Sequence, residues 1–312
     1  MVITSGYRMR LNQIRDFLAT VEAGSIRAAA RQLSLSQPAL TKSLRQLENE
    51  LGAVLLTRGV RGARPTDLGR AFLARARAVS ADLRRAREEL AQLRGSGAGS
   101  LSIGVAPGPA LGLLPAALAR VRRHWPEAAI RVADVSPSGV LPSLREGALD
   151  FAVSANVGPL AGANPELAVE LLYLNDSAIV ARAGHPLRRA RRFAALAGAE
   201  WVRSGYPGDA SALPQLFAKA GLPPPNYRVD CPSFLMVPEL VARTDLLAIV
   251  PWQIAAREIR AGRLARIPLA DRLPPRQIGL YRRAEVPPTP IARQCAGILI
   301  EEARRQRRAP WA

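Results

Sequence analysis

The side chains best placed for chemistry lie in one stretch, Ser25 to Gly52, which reads SIRAAARQLSLSQPALTKSLRQLENELG. Near the start of a predicted helix it carries Gln37, Pro38, Thr41 and Lys42, with Arg45 a turn further on. Gln can make a bidentate contact to adenine. Thr offers a hydroxyl and a methyl, and Lys reaches guanine or phosphate. Arg45 suits the phosphate backbone. This is recognition chemistry for a nucleic-acid groove.

The elements that must hold these residues follow from the pattern around them. Leu11, Ile14, Phe17, Leu18 and Val21 form one helical face, and Gly24 stops that helix. Ser25 caps a second helix with Ile26, Ala29, Ala30 and Leu33 as its inner stripe. Ser34-Leu35-Ser36 makes the turn. Ser36 caps the third helix, with Pro38 in its first turn, where a missing N–H costs nothing. Leu40, Leu44, Leu47 and Leu51 face its core, and Gly52 ends it. Ser25 and Ser36 complete the set expected beside DNA. Lone polar residues on a helix are usually just solvated. The turn spacing, alanine packing and basic surroundings together point to a helix-turn-helix.

Val54 to Thr57 is strand-like. Arg58, Arg61 and Arg64 surround a glycine-bearing turn, which reads as a basic wing touching phosphates or a minor groove; a solvated basic loop is the competing reading. Thr66 caps a long helix running to about Leu93, lined by Leu68, Phe72, Ala76, Val79, Leu83, Ala86, Leu90 and Leu93. A helix of about 27 residues spans roughly 40 Å, which suits a coiled pair between two subunits, with a lone linker helix as the alternative. Gly95 to Gly99 (GSGAG) is a hinge by composition.

Composition supports this outline. The chain has 312 residues, enough for two or three domains, and a net charge of +19. All of its 44 basic residues except Lys42 and Lys219 are Arg. Residues 1–94 carry 17 basic against 8 acidic side chains, roughly twice the net charge density of the remainder. Such basicity fits a polyanion partner; a compositional bias toward Arg is the alternative. Two His and two Cys, far apart, give no metal-ligand spacing, and no cofactor is expected. No apolar run is long enough to span a membrane, and the N-terminus has no signal-peptide core, so a cytoplasmic protein is expected. A nucleophile elbow, a glycine-rich phosphate loop after a strand and a paired acid and base are all missing, so no enzyme is expected.

After the hinge, strand and helix patterns alternate, which predicts a parallel α/β sheet. Predicted strands are 101–105, 129–132, 149–153, 201–202, 227–229, 246–250 and 277–281, with Leu264 to Ile267 as a strand returning to the first unit. Predicted helices are 113–124, 142–146, 213–220, 233–243 and 289–305. Two small units joined by two crossovers would enclose a cleft. Ligands in such sheets bind beyond the strand C-termini. Residues just past a strand are therefore the candidates: Pro107, Gly108, Ala110, Ser136, Ser138, Ser154, Ser204, Cys231 and Ser233. Each could equally be a satisfied loop residue. Arg203 and Arg228 could add charge, His185 before Pro186 shapes a turn, and Cys231 could sense oxidants if its thiol were exposed.

The residues Phe17, Gly24-Ser25, Ala28-Ala29, Leu33, Ser36 to Ala39, Thr41, Leu44, Leu47-Glu48, Leu51-Gly52, Leu55, Arg58, Pro65-Thr66 and Gly69 resemble the winged helix-turn-helix of LysR-type transcriptional regulators. Ser102 to Gly104, Gly147 to Asp150, His185 to Leu187 and Leu247 to Pro251 resemble that family's effector domain. The likeness covers nearly the whole chain. It departs where Leu55-Leu56 replaces the usual Leu-Phe, and where Ala106 to Ala110 lacks the usual hydroxyl.

The resemblance implies a multidomain α/β protein. A winged helix-turn-helix DNA-binding domain would span 9–66, a linker and dimerisation helix 67–94, and a hinge 95–99. A two-lobed, periplasmic-binding-protein-like effector domain would span 100–306, with lobe I at 100–168 and 268–306 and lobe II at 169–267. Its implied partners are double-stranded promoter DNA, a small-molecule effector that is an anionic or aromatic metabolite, a second copy in a homodimer or homotetramer, and RNA polymerase. A ligand-independent architectural DNA binder is the alternative function.

Overall fold

A computed structural model describes residues 9–59, 62–95, 99–155, 162, 164–206, 212–271 and 273–308. It divides into two units, 1–90 with 145–148, and 91–144 with 149–312.

The first unit begins with α1 (Leu11–Ala23), α2 (Ile26–Gln32) and α3 (Gln37–Leu51). Phe17, Ala29, Leu40, Leu44 and Leu47 are fully shielded in one core, which also takes in Ile14, Ala30, Leu55 and Leu56. Leu11, expected on the same face, is 54% exposed because the helix only begins there. Both expected caps form. The Ser25 oxygen accepts the Ala28 N–H at 3.1 Å, and the Ser36 oxygen accepts the Ala39 N–H at 3.3 Å. Ser34 turns the chain between α2 and α3 with a left-handed φ of 55°, and the Leu35 N–H bonds back to the Ala30 carbonyl at 2.9 Å.

The wing is an antiparallel pair, β1 (Leu56–Gly59) with β2 (Gly62–Pro65). It starts two residues later than expected, because Glu48 holds the Leu55 and Leu56 N–H groups at 2.9 and 3.1 Å and Leu55 is turned into the core. Thr66 caps α4 (Asp67–Leu93) by accepting the Gly69 N–H at 2.9 Å. Position 69 must be glycine, since a Cβ there would collide with the Leu55 carbonyl. The apolar line of α4 divides. Ala76 is buried and Phe72 rests on the same core, whereas Leu68, Val79, Leu90 and Leu93 are exposed.

Among the described residues, the second unit holds a five-stranded sheet, a three-stranded sheet and a two-stranded pair. The first has the order β4-β3-β5-β12-β6. β3 (Ser100–Val105) runs parallel to β4 (Ala129–Asp134) and β5 (Phe151–Ala155), and β12 (Arg276–Arg283) runs antiparallel to both β5 and β6 (Leu167–Asn175). α5 (Pro107–Gly112), α6 (Leu114–His124), α7 (Pro137–Arg145) and a closing helix, Pro290–Arg308, accompany it. In the second sheet, β7 (Ser177–Arg182) pairs antiparallel with β10 (Ala248–Pro251) and β11 (Leu264–Arg266). β8 (Glu200–Ser204) pairs parallel with β9 (Asn226–Cys231), and the Trp201–Leu247 bridge joins β8 to the start of β10. Helices α8 (Leu213–Lys219), α9 (Met236–Arg243) and α10 (Trp252–Arg260) complete this lobe. The closing helix is therefore α11.

Two expectations are corrected. The sheets are mixed rather than parallel, because strand-helix alternation enforces parallel pairing only where a helix returns the chain, as between β3, β4 and β5. β6 and β7 follow one another with only Asp176 between them, and among the described residues no helix lies between β11 and β12. The strand at 264–267 does not return to the first sheet. It pairs with β7 in the second, and the crossing follows it. α10, directly after Pro251, is a further helix not expected from the sequence.

The expected hinge lies partly outside the described residues, which omit 96–98. Its approach is fastened. Gln92, 6% exposed at the end of α4, accepts the Ile291 N–H in the first turn of α11 at 3.2 Å. Among the described residues, no helix is long and apolar enough to cross a membrane, and no group of His, Cys, Asp or Glu is arranged to hold a metal.

Candidate nucleic-acid interface and ligand cavity

The face of α3 away from the core carries Gln37, Pro38, Thr41, Lys42, Arg45, Gln46 and Asn49, which border one open concave surface. Their spacing of three and four places them on one side of the helix, opposite Leu40, Leu44 and Leu47. Gln37, Lys42 and Arg45 are exposed and bond to no described residue, so their donors and acceptors are free for a partner. Gln46 and Asn49 were missed in the sequence. They continue the same face by another turn, a periodicity that could have found them.

What holds α3 is polar as well as apolar. Asp16, 2% exposed, accepts the Ser43 hydroxyl at 2.6 Å and the Arg15 guanidinium at 2.8 Å, tying α1 to α3. In the wing, the Ala63 N–H bonds to the Gly24 carbonyl at 2.8 Å, and a Cβ on Gly62 would strike that same oxygen. Arg64 is exposed on β2. Arg58 lies on β1, its side chain outside the described set, and Arg61 lies outside the described residues. Ser25 and Ser36 are engaged as caps through their oxygens.

The second unit contains a cavity of about 630 Å³ lined from its five-stranded sheet on one side and from β7 to β10 on the other. Pro107, Gly108, Ser204 and Cys231 from the expected set line it, together with Arg203. Ala110, Ser136, Ser138, Ser154 and Ser233 are not among its described lining residues, and each has a local reason. The expected loop 106–110 is α5, so the Ala110 N–H is spent on the Ala106 carbonyl at 3.0 Å. The two prolines that suggested a loop pre-set helical φ at the helix start instead. Ser136 accepts the Gly139 N–H at 2.9 Å and lies 3.0 Å from Ser138, as the cap of α7. Ser154 is buried within β5. Ser233 accepts the Met236 N–H at 3.4 Å, so α9 begins three residues later than expected.

The charges near the cavity are largely committed. Arg203 pairs with Asp230 at 2.9 Å and lies 4.4 Å above the Tyr227 ring, and Arg228 pairs with Glu200 at 2.7 Å. Ser204 donates its hydroxyl to the Ile249 carbonyl. Cys231 is buried, its thiol directed at the Ser233 carbonyl. His185 does shape its turn: Nδ1 accepts the Leu187 N–H at 3.0 Å, which leaves the proton on Nε2, 3.1 Å from the Asp245 carbonyl.

The cavity also holds residues the sequence reading missed. Asn175 ends β6 at the cavity wall, and its Oδ1 accepts from Gln253 Nε2 at 2.6 Å. Gly108 lies against this amide pair, and a Cβ there would come within 2.8 Å of Asn175 Nδ2. Arg276 and Gln277 at the start of β12 line it too, with Tyr206, Phe234 and prolines 232, 251, 274 and 275. A polar residue closing the apolar run LAVELLYLN was the available signal for Asn175.

Residues 11–70 match the bacterial regulatory helix-turn-helix protein, lysR family, and residues 94–304 match the LysR substrate binding domain. The chain belongs to the LysR family of transcriptional regulators. It is 36% identical over 299 residues to the SDS degradation transcriptional activation protein of Pseudomonas sp. (strain ATCC 19151), covering 94% of this chain and 96% of that one. It is 32% identical over 290 residues to the HTH-type transcriptional regulator GalR of Pseudomonas putida, covering 92% and 72%. The LysR regulator CbnR has a similar fold, with a TM-score of 0.69 at 23% identity over 95% of this chain and 99% of that one. In the structure of full-length CbnR with its target DNA, the score is the same at 25% identity. As a LysR regulator, this chain is a DNA-binding transcription factor with an effector-binding domain.

Proposed function

We propose that this LysR regulator reads its promoter with Gln37, Thr41, Lys42 and Arg45, and is controlled by an anionic or aromatic metabolite in the 630 Å³ cavity. The observation that carries the reading is the face of α3, where uncommitted polar side chains stand over a fully buried leucine row. Arg58, Arg61 and Arg64 contact the backbone from the wing. The domains divide at 9–66, 67–94, 95–99 and 100–306, with lobes at 100–168 with 268–306 and at 169–267. Exposed Leu68, Val79, Leu90 and Leu93 on α4 support pairing of two copies in a dimer or tetramer. The working compartment is the cytoplasm, and RNA polymerase is the downstream partner.

The cavity argues against a ligand-independent architectural role. Its prolines, Phe234 and Tyr206 offer an apolar wall, while Asn175, Arg276 and Gln277 give one side polar character. This suits a ligand with an apolar body and a polar or anionic end. A relative named for SDS degradation makes alkyl sulfates a sensible first probe.

Two measurements test the reading. Selection of binding sites from a random duplex library should enrich one motif, and Gln37→Ala should relax it at one position; enrichment of no motif would overturn promoter reading. A thermal-shift screen with alkyl sulfates, sulfonates, aromatic carboxylates and sugar acids should find a stabilising ligand, because binding only to the native state raises its stability. Uniform silence across these classes would favour the architectural role.

A further inference from the structure

Seven residues of the second lobe, Pro186 to Arg192 (PLRRARR), carry four arginines and no acid. The backbone beneath them is fastened at several points. His185 is buried and bonded on both ring nitrogens, and Pro186–Arg189 form one turn of 3-10 helix. The Arg191 carbonyl accepts the Ala270 N–H at 2.8 Å. Phe193 and Leu196 then plunge into the core, with Phe193 edge-on to Phe217.

Above this base, Arg189, Arg191 and Arg192 are exposed and Arg188 is half-buried, and none pairs with a described residue. The nearby acid Asp245 is already taken by Arg182 at 2.7 Å. Even with Asp271 counted against it, the strip carries a charge of about +3. Apart from the arginines only Pro186 is exposed in the strip; Leu187 and Ala190 are half-buried, and no large apolar residue is exposed within it. A protein partner would want an aromatic or aliphatic anchor at the centre of its contact. A phosphate backbone needs only guanidinium groups on a firm base.

We propose that Arg188, Arg189, Arg191 and Arg192 form an auxiliary, sequence-independent contact to the phosphate backbone of duplex DNA. This goes beyond the winged helix-turn-helix, since it gives the effector domain its own grip on flanking DNA. It adds affinity and salt dependence without adding base discrimination.

The test uses the full chain and R188Q/R189Q/R191Q/R192Q, with an all-Lys version of the same four positions as the charge-keeping control. Binding is measured over a range of salt, on a duplex trimmed to the selected site and on one extended on both sides. On the extended duplex the Gln variant should lose ~2–3 units of log K against log salt slope, at ~0.9 per phosphate released. The Lys variant should keep most of that slope, and the preference for the selected site over random duplex should be unchanged in all three proteins. Equal slopes for wild type and the Gln variant on the extended duplex would overturn the proposal and leave the strip a solvated or protein-facing surface. So would a slope lost equally by the Lys variant, since charge would then not be the cause. Failure of promoter reading shows separately, as no preference for any site in the wild type.

Discussion

The face of α3 and the wall of the cavity are both candidate binding surfaces, yet they were built in opposite ways. On α3 the candidate side chains point outward from a sealed apolar row, and Gln37, Lys42 and Arg45 bond to no described residue. Around the cavity most of the expected hydroxyls are spent on local backbone, as caps at Ser136 and Ser233 and as a carbonyl donor at Ser204. The wall there is made instead by residues far apart in the chain, such as Gly108, Asn175 and Arg276. An outward-facing reader needs one helix with two faces. A cavity needs several strand ends to converge.

That contrast can be broken most forcefully at the core beneath the reader. Leu44→Ala should destabilise the first unit by about 2–5 kcal/mol, read as a shifted denaturation midpoint. Ligand stabilisation of the second unit should survive; losing both together would mean that the two surfaces do not rest on separate cores. Gly108→Val is the matching cut at the cavity. Its side chain would press on Asn175 and abolish ligand-induced stabilisation, about 2.7 kcal/mol at a hundredfold excess over Kd, while DNA affinity stays at its basal value. An unchanged thermal shift would remove Gly108 from the ligand's path.

Gln37→Ala sharpens the reader itself, with about 1–3 kcal/mol lost at the selected site and little at random duplex. Uniform weakening would make Gln37 a backbone contact. Ser25→Ala should cost about 0.5–2 kcal/mol of stability through its lost cap, with specificity intact.

The smallest effect is expected at the cysteines. Cys295 is fully buried and its thiol is pushed up to about 12 by desolvation, so it should resist thiol reagents at pH 8 until the chain unfolds. Its folded value is raised. Its contribution to stability is therefore intact below the ordinary thiol range and declines as pH rises through that range toward 12. Rapid native labelling of Cys295 would show that this core opens readily.

Much of the first unit was legible because its signals are local. A cap, a helical stripe and a terminating glycine each depend on a few adjacent residues, and both Ser25 and Ser36 cap where their positions suggest. Asp16 was not legible, because its partner Ser43 lies on another helix. In the second unit most strands were visible but their directions were not. β6 and β12 look like any apolar run, and nothing in them declares antiparallel pairing.

By itself the sequence determined the family, the outward polar face of α3 and the turn between α2 and α3, since periodicity and capping are properties of neighbouring residues. Only the tertiary structure decided the cavity. It turned the expected loop at 106–110 into a helix, paired β11 antiparallel with β7, and brought Gly108 against the Asn175–Gln253 pair. Those outcomes depend on long-range pairing and packing, where a residue's partner is set by the path of the whole chain.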